Sequence, residues 1–90
     1  PGIGIYAVMV EWKGKLHQGM MSIGLRPTVT EDKVVTCEVN ILDFSEDLYG
    51  QFLTVHFVQY LRGEEKFNSL DELKKQIALD EVNARLVLNK

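Results

Sequence analysis

The sequence predicts a mainly β fold: a small antiparallel sheet followed by helices at the C-terminal end. The stretches up to residue 62 are rich in β-branched and aromatic residues and are separated by brief polar connections. Such short connections favour antiparallel pairing of neighbouring strands. After residue 62 the apolar residues change from alternation to helical spacing. At 90 residues the chain is one domain at most.

The first two strands are predicted as a hairpin. Residues 3–12 carry apolar side chains on both alternating faces, which indicates a strand that is partly buried on both sides. The Lys-Gly-Lys stretch at 13–15 predicts a tight turn. Residues 16–24 then return as the second strand. Within it, Gly19 indicates either a bulge or a close approach of two backbones.

The third strand is predicted over residues 33–43, after a loop that contains Pro27. Alternation places Thr36, Glu38 and Asn40 on one face. The opposite face carries Cys37, Val39 and Ile41, so Cys37 is expected to be a small core residue.

The fourth strand is predicted over residues 51–62. Simple alternation makes one of its faces clearly apolar, the face that carries Leu53, Val55, Phe57, Gln59 and Leu61.

The C-terminal part is predicted to be helical. Ser69 and Glu72 form a capping box, which indicates where the first helix begins. Its buried stripe is expected to consist of Leu70, Leu73 and Ile77. A second short helical segment is expected to start at Asp80, with Val82 and Leu86 facing inward.

Composition excludes several classes of protein. No stretch approaches the roughly 20 apolar residues of a membrane span. The formal charge of −3 argues against a nucleic-acid backbone as partner. The single cysteine excludes an internal disulfide, and with only two histidines a structural zinc site is not expected. The chain is interpreted as intracellular.

Three segments together resemble one family: IGLRPTV (23–29), CEVNILDFSEDLYGQ (37–51) and VQYLRGEEKFNSLDELKKQIALD (58–80). Their order and content are similar to the riboflavin kinase domain, which in bacteria is commonly the C-terminal half of a bifunctional riboflavin kinase/FAD synthetase. The resemblance runs from about residue 2 to residue 86. It implies an antiparallel Greek-key β-barrel with C-terminal helices, here incomplete because the first strands are missing, and residues 1–90 form part of that domain.

The resemblance also implies an activity. The family transfers the γ-phosphate of ATP to the terminal ribityl hydroxyl of riboflavin, with Mg²⁺, and so makes FMN. Glu38 matches the family's catalytic carboxylate. A carboxylate that orients the hydroxyl and accepts its proton is typically worth about 10²–10⁴-fold in rate. The alternative for Glu38 is an ordinary solvated strand residue.

The other implied site residues fall into two groups, and each has a structural alternative. The nucleotide-binding positions are Ile41, Asp43 and Tyr49; Asp43 could instead cap a turn and Tyr49 could be an edge residue of the core. The flavin-binding positions are Arg62, Glu65 and Phe67. Arg62 could instead form a surface salt bridge with Glu64 or Glu65, and Phe67 could pack at the start of the helix.

The family's Gly-rich segment leading to Pro-Thr-Ala-Asn does not occur in the sequence. The Mg²⁺ ligands are therefore expected before residue 1, and the fragment alone is expected to be inactive. The resemblance further implies a covalently linked N-terminal FMN adenylyltransferase domain and a cytoplasmic location. Missing strands would leave an open barrel edge, for which homodimerisation is the expected remedy.

Two other functions stay open at the level of sequence. One is a flavin-binding or regulatory module without kinase activity, favoured if the gene begins at this point. The other is a β-barrel that binds oligonucleotides, which the acidic balance disfavours.

Overall fold

The computed structural model describes residues 2–30 and 32–90, with the exception of the Pro27 side chain. In chain order, the elements are β1 (Gly4–Trp12), β2 (Lys15–Pro27), β3 (Lys33–Ile41), β4 (Thr54–Arg62) and α1 (Leu70–Leu88). The prediction of a mainly β fold with a helical C-terminal part is confirmed.

The four strands form one antiparallel sheet in the order β3-β2-β1-β4. Three consecutive strands therefore lie side by side, and the fourth returns to pair with the first, which is the Greek-key arrangement. The sheet is not closed: within residues 2–30 and 32–90, β3 and β4 each have a strand neighbour on one side only. The predicted incomplete Greek-key barrel is the architecture observed.

The β1–β2 hairpin has the predicted tight turn. Trp12 pairs with Lys15, so Lys13 and Gly14 are the two turn residues, and both have positive φ angles of 50° and 76°. Two positive φ angles are typical of the type I′ turn, whose twist matches that of the flanking strands. Gly19 is a point of close approach, because a Cβ there would lie 2.9 Å from the Asn40 carbonyl oxygen.

Strand β2 extends further than predicted. It continues from the expected end at residue 24 to Pro27, because β3 pairs with it along the whole length, from Gly19–Ile41 to Pro27–Lys33. Strand β4 begins at Thr54 rather than at residue 51.

The two faces of the sheet carry two apolar clusters. One cluster is centred on Tyr6, Val8 and Val10 of β1 and is covered by side chains of the β3–β4 connection. On the opposite face Ala7 packs against Ala84 of α1. Strand β1 is therefore buried on both sides, as predicted, and α1 covers one face only.

Strand β4 departs from the predicted alternation. Its register against β1 shifts between Ile5 and Tyr6 and again between Ala7 and Val8. These two irregularities bring Phe57 and Tyr60 to the same face, where both rings make edge contacts with Tyr6 at centroid distances of 5.1 and 5.4 Å. β-bulges have this effect, since an extra residue reverses the facing of all that follow.

The C-terminal region is one continuous helix, so the prediction of a second segment starting at Asp80 is wrong. Asp80 is buried and its side chain accepts hydrogen bonds, instead of capping a new helix. Val82 and Leu86 were expected to face inward but are 51% and 65% exposed. The inward face of α1 carries Asp80 and Ala84.

Cys37 was expected in the core but is exposed. It pairs with Ile23 on β2, and only Ile23 is buried. Because β3 is an edge strand, most of its residues lack the cover that the inner strands receive. In the part of the chain that the structure describes, no helix combines the length and apolarity needed to cross a bilayer.

Candidate functional site

A large open cavity lies beside the helix-covered part of the sheet. Its volume is about 1260 Å³, and its walls come from β2, β3, the β3–β4 connection, the β4–α1 connection and the first half of α1. Five of the seven residues predicted for the site line it: Glu38, Ile41, Arg62, Glu65 and Phe67. Asp43 and Tyr49 are not among the lining residues.

Glu38 lies on the same sheet face as α1. It pairs directly with Ser22, and Met20 of that face packs with Ala84 of the helix. Directly opposed residues of an antiparallel pair project to the same side. The Glu38 side chain is 72% exposed and its Oε1 lies 3.7 Å from Nη2 of Arg26. The carboxylate thus stands at the mouth of the cavity and not in the core.

Arg26 connects Glu38 to the opposite wall of the cavity. Its Nη1 lies 4.0 Å from Oε1 of Glu64, a residue of the β4–α1 connection. Glu64 also lies over Gly24, since a Cβ built there would overlap its Oε1 atom. Arg26 therefore lies between the candidate catalytic carboxylate of Glu38 and the segment that carries the predicted flavin-binding residues.

Arg62 is held by a buried carboxylate on α1. Its Nε donates to Asp80 Oδ1 at 2.8 Å, its Nη2 donates to Oδ2 at 2.7 Å, and its Nη1 donates to the Gly63 carbonyl at 2.9 Å. Gln76 donates a further bond of 2.9 Å to Asp80. This bidentate pair fixes the end of β4 against the middle of α1.

The ion pair also explains how a carboxylate is tolerated at that position. Burial by itself would raise the pKa of Asp80, but the hydrogen bonds from Arg62 and Gln76, together with the positive charge of Arg62, outweigh it and hold the pKa below its ordinary value. The hydrogen bond to Asp80 is likewise the main reason why the pKa of Arg62 is raised. Both side chains are charged at neutral pH.

The start of α1 is fixed by the predicted capping box. Ser69 Oγ accepts a hydrogen bond of 3.1 Å from the Glu72 backbone N–H, and the Glu72 carboxylate accepts one of 3.0 Å from the Asn68 backbone N–H. These bonds anchor the end of the connection in which Glu65 and Phe67 lie. Phe67 is half-buried and lines the cavity beside the helix start.

The three predicted nucleotide-binding residues are spread along the β3–β4 connection and its start. Ile41 is buried at the end of β3 and also lines the cavity. Asp43 adopts a positive φ of 55° and accepts two hydrogen bonds from Arg85, at 2.9 and 3.1 Å, which lower its pKa. Tyr49 is 95% exposed.

Sequence reasoning missed five charged residues that line the cavity: Arg26, Glu46, Glu64, Lys66 and Asp80. Asp80 carried a signal that indicated a helix start instead of a buried position. The predicted buried stripe was Leu70, Leu73 and Ile77, but Leu70 and Ile77 are 63% and 47% exposed, and the buried face carries Asp80 and Ala84. A carboxylate at such a position requires a buried cationic partner. Arg26 and Glu64 carry no comparable sequence signal, since surface charges are common.

No metal centre is built by the residues described. Within 2–30 and 32–90 no group of three or more His, Cys, Asp or Glu side chains is arranged to hold an ion. Mg²⁺ is usually bound through one or two carboxylates together with substrate phosphates, so this finding concerns only a metal site built entirely by these side chains.

The fold and the cavity define a class of protein: a Greek-key β-domain with a capped C-terminal helix and a large open cavity beside its sheet. A family profile described as Flavokinase, riboflavin kinase, matches residues 1–88. The chain belongs to the riboflavin kinase family.

Curated relatives agree with this family. The chain is 46% identical over 85 residues to a bifunctional riboflavin kinase/FMN adenylyltransferase of Pseudomonas fluorescens, an alignment that covers 94% of the chain and 27% of that protein. It is 36% identical over 86 residues to the protein of the same name from Bacillus subtilis, with 93% and 27% coverage. The chain thus spans about a quarter of the length of these relatives.

A solved structure shares the fold. A crystal structure described as a macrolide-efflux protein from Streptococcus pneumoniae superposes with a TM-score of 0.86 at 35% identity, over 94% of this chain and 28% of that one. The superposition supports the architecture. That structure is described as a macrolide-efflux protein, a description that does not apply to this chain.

Proposed function

We propose that this chain is the flavin-binding part of a riboflavin kinase, which transfers the γ-phosphate of ATP to the ribityl 5′-hydroxyl of riboflavin and releases FMN and ADP. Membership of the riboflavin kinase family supports the reaction. One observation assigns the reaction to particular residues: Glu38 lies at the mouth of a cavity whose other walls carry Arg62, Glu65 and Phe67.

Glu38 acts as the base. The ribityl hydroxyl oxygen attacks the γ-phosphorus, the bond from that phosphorus to the β,γ-bridging oxygen breaks, and the hydroxyl proton passes to the Glu38 carboxylate. Phosphoryl transfer asks the protein mainly for alignment and neutralisation of charge, so a carboxylate fixed on a strand suits this role. Its exposure leaves the carboxylate accessible to a hydroxyl group.

The flavin ring occupies the cavity near Arg62, Glu65 and Phe67. Because Asp80 and Gly63 already engage Nε, Nη1 and Nη2 of Arg62, its contribution is the flat face of the guanidinium, which can stack on an aromatic ring. Phe67 adds an apolar aromatic surface. Glu65 supplies an acceptor for a polar group at the ring edge.

The nucleotide lies along the β3–β4 connection, near Ile41, Asp43 and Tyr49. ATP is accompanied by Mg²⁺, whose ligands lie outside the residues described. The exposed ring of Tyr49 is available to a base. Asp43 keeps its charge through Arg85, so that it accepts hydrogen bonds rather than donating them.

The proposal extends to partners and location. The chain is covalently linked, on its N-terminal side, to an FMN adenylyltransferase domain, as the names of the curated relatives suggest. It works in the cytoplasm, and residues 1–90 on their own associate as a homodimer through an open sheet edge. The exposed apolar side chains of β4, which include Phe57, Val58 and Tyr60, support that last point.

The experiment that tests the function is a chromatographic assay of FMN formation by the full-length protein, given riboflavin, ATP and Mg²⁺. We expect one FMN and one ADP for each riboflavin consumed. Quenching of riboflavin fluorescence without any FMN formation would overturn the kinase proposal and establish a flavin-binding module. Absence of both would remove the flavin site as well.

A further inference from the structure

We propose that Arg26 is a phosphate-contacting residue: its guanidinium binds the phosphate that has been transferred to the ribityl chain. This inference rests on the proposed kinase function and deepens it, since it assigns the contact that distinguishes FMN from riboflavin.

Arg26 is placed at the reacting end of the cavity. It lies near the end of β2, with Nη2 at 3.7 Å from Glu38 Oε1. A hydroxyl that donates its proton to Glu38 must come within about 2.6–3.2 Å of that carboxylate. A phosphate carried by the same oxygen therefore comes within reach of the Arg26 guanidinium.

The donors of Arg26 are not consumed by its two neighbours. Its distances of 3.7 Å to Glu38 and 4.0 Å to Glu64 are longer than hydrogen bonds. By contrast, Arg62 and Arg85 each make a bidentate pair, with Asp80 and with Asp43. Arg26 is also 54% exposed, so a ligand can approach it from the cavity.

Electrostatics makes a cation necessary at this point. Five carboxylates line the cavity against three basic side chains, and one of the three, Arg62, is neutralised by Asp80. The lining carboxylates are Glu38, Glu46, Glu64, Glu65 and Asp80. The cavity lining is net negative even with Arg26, so a phosphate next to Glu38 needs a cationic side chain close to it, and Arg26 lies 3.7 Å from that carboxylate. The planar fork of an arginine matches phosphate oxygens bidentately, which a lysine cannot do.

The test compares the phosphate-bearing and phosphate-free flavins in the full-length protein. The initial rate of ADP release reports the kinase reaction alone, because adenylyl transfer releases pyrophosphate. It yields a KM for riboflavin and an inhibition constant for FMN that competes with it. The variants are Arg26→Gln, Arg26→Lys and the control Lys75→Gln, which removes an exposed positive charge from α1 away from the cavity.

We expect Arg26→Gln to raise the FMN inhibition constant by at least about tenfold, the loss expected for a charge-assisted contact, and to leave the riboflavin KM within about twofold. Arg26→Lys should recover part of the loss, and Lys75→Gln should change neither value. Arg26 is exposed, so folding is not at risk, and circular dichroism checks it.

An unchanged ratio of FMN inhibition constant to riboflavin KM in Arg26→Gln overturns the inference while the kinase function stands. A parallel rise of both constants also overturns it, because it shows a general effect on the cavity. A wild-type protein that releases no ADP with riboflavin overturns the proposed function and this inference together.

Discussion

At the scale of single residues, the chemistry of the cavity depends on which charged groups are already paired. Arg62 is bound by Asp80, whereas Arg26 stands between two carboxylates without a direct hydrogen bond to either. A paired arginine offers rigidity and a flat face. An arginine without such bonds offers donors to an incoming anion.

The Asp80–Arg62 pair makes the free energy of unfolding depend on pH. Because the folded-state pKa of Asp80 is lowered, its contribution is present above the unfolded pKa of about 3.9 and is lost as pH falls through the lower folded value. We expect Asp80→Asn to reduce the free energy of unfolding at pH 7 by about 1–3 kcal/mol. The difference from wild type should shrink below about pH 4.

Calorimetric unfolding of the full-length protein between pH 3 and pH 7 measures this pH dependence. Asp71→Asn is the control, since Asp71 is exposed on the first turn of α1. A wild-type and an Asp80→Asn protein with parallel pH profiles would show that the pair does not supply this stability.

Cys37 gives a second test at the residue scale. Its neighbours on β3 predicted a buried thiol, and the structure places it in the middle of an edge strand with its side chain exposed. We expect the folded protein to react with a thiol reagent at Cys37 without denaturant, as peptide mapping would reveal. Labelling that occurs only after unfolding would contradict the exposed position.

At the scale of elements, the sequence was most informative where local chemistry decides the structure. The Lys13-Gly14 turn and the Ser69–Glu72 capping box were predicted from short-range patterns and are observed. Strand β3 alternates as predicted from Glu38 to Ile41 but not at Cys37. The bulges of β4 were not predicted, because they arise from pairing with β1 and have no local signal. Simple alternation therefore misassigned the side of Tyr60.

The continuity of α1 through Asp80 was not predicted, for a related reason. Asp80 has the side chain of a helix start, and only its contact with Arg62, eighteen positions away in the chain, explains why it lies in mid-helix. A polar residue in a buried helical position is stabilised by a tertiary partner that local patterns cannot specify.

The cap of α1 can be tested directly. Ser69 accepts the Glu72 N–H, so Ser69→Ala should lower the free energy of unfolding by about 1 kcal/mol. Ser45→Ala, in the exposed β3–β4 connection, is the matched control. Equal thermal stability of the two variants in calorimetry would mean that the cap does not hold the helix start.

At the scale of the whole molecule, the family resemblance predicted the architecture and five residues that line one cavity. It did not predict the hydrogen bonds and ion pairs that fix those residues in place. Asp43 and Tyr49 lie outside the cavity lining. Their role depends on where a nucleotide extends along the β3–β4 connection, and their contacts with ATP stay a prediction.

The proposed homodimer leads to a test of the open edge. Val58→Lys places a charge on the exposed β4 edge, and lysine at an edge opposes strand pairing. We expect the isolated 90-residue chain to be a dimer that dissociates on dilution in light-scattering chromatography, and its Val58→Lys variant to be monomeric. Val29→Lys, at a fully exposed loop position, should behave as wild type. A wild-type monomer at every concentration would contradict the dimer.

The central claim is that the Glu38 carboxylate takes the proton from the reacting hydroxyl. The measurement is the kcat for FMN formation by Glu38→Gln in the full-length protein, beside Glu11→Gln, which alters another partly exposed strand carboxylate that does not line the cavity. We predict that Glu38→Gln lowers kcat by about 10²–10⁴-fold with little change in riboflavin affinity, and that Glu11→Gln leaves kcat unchanged. A kcat of Glu38→Gln equal to that of wild type would contradict the account.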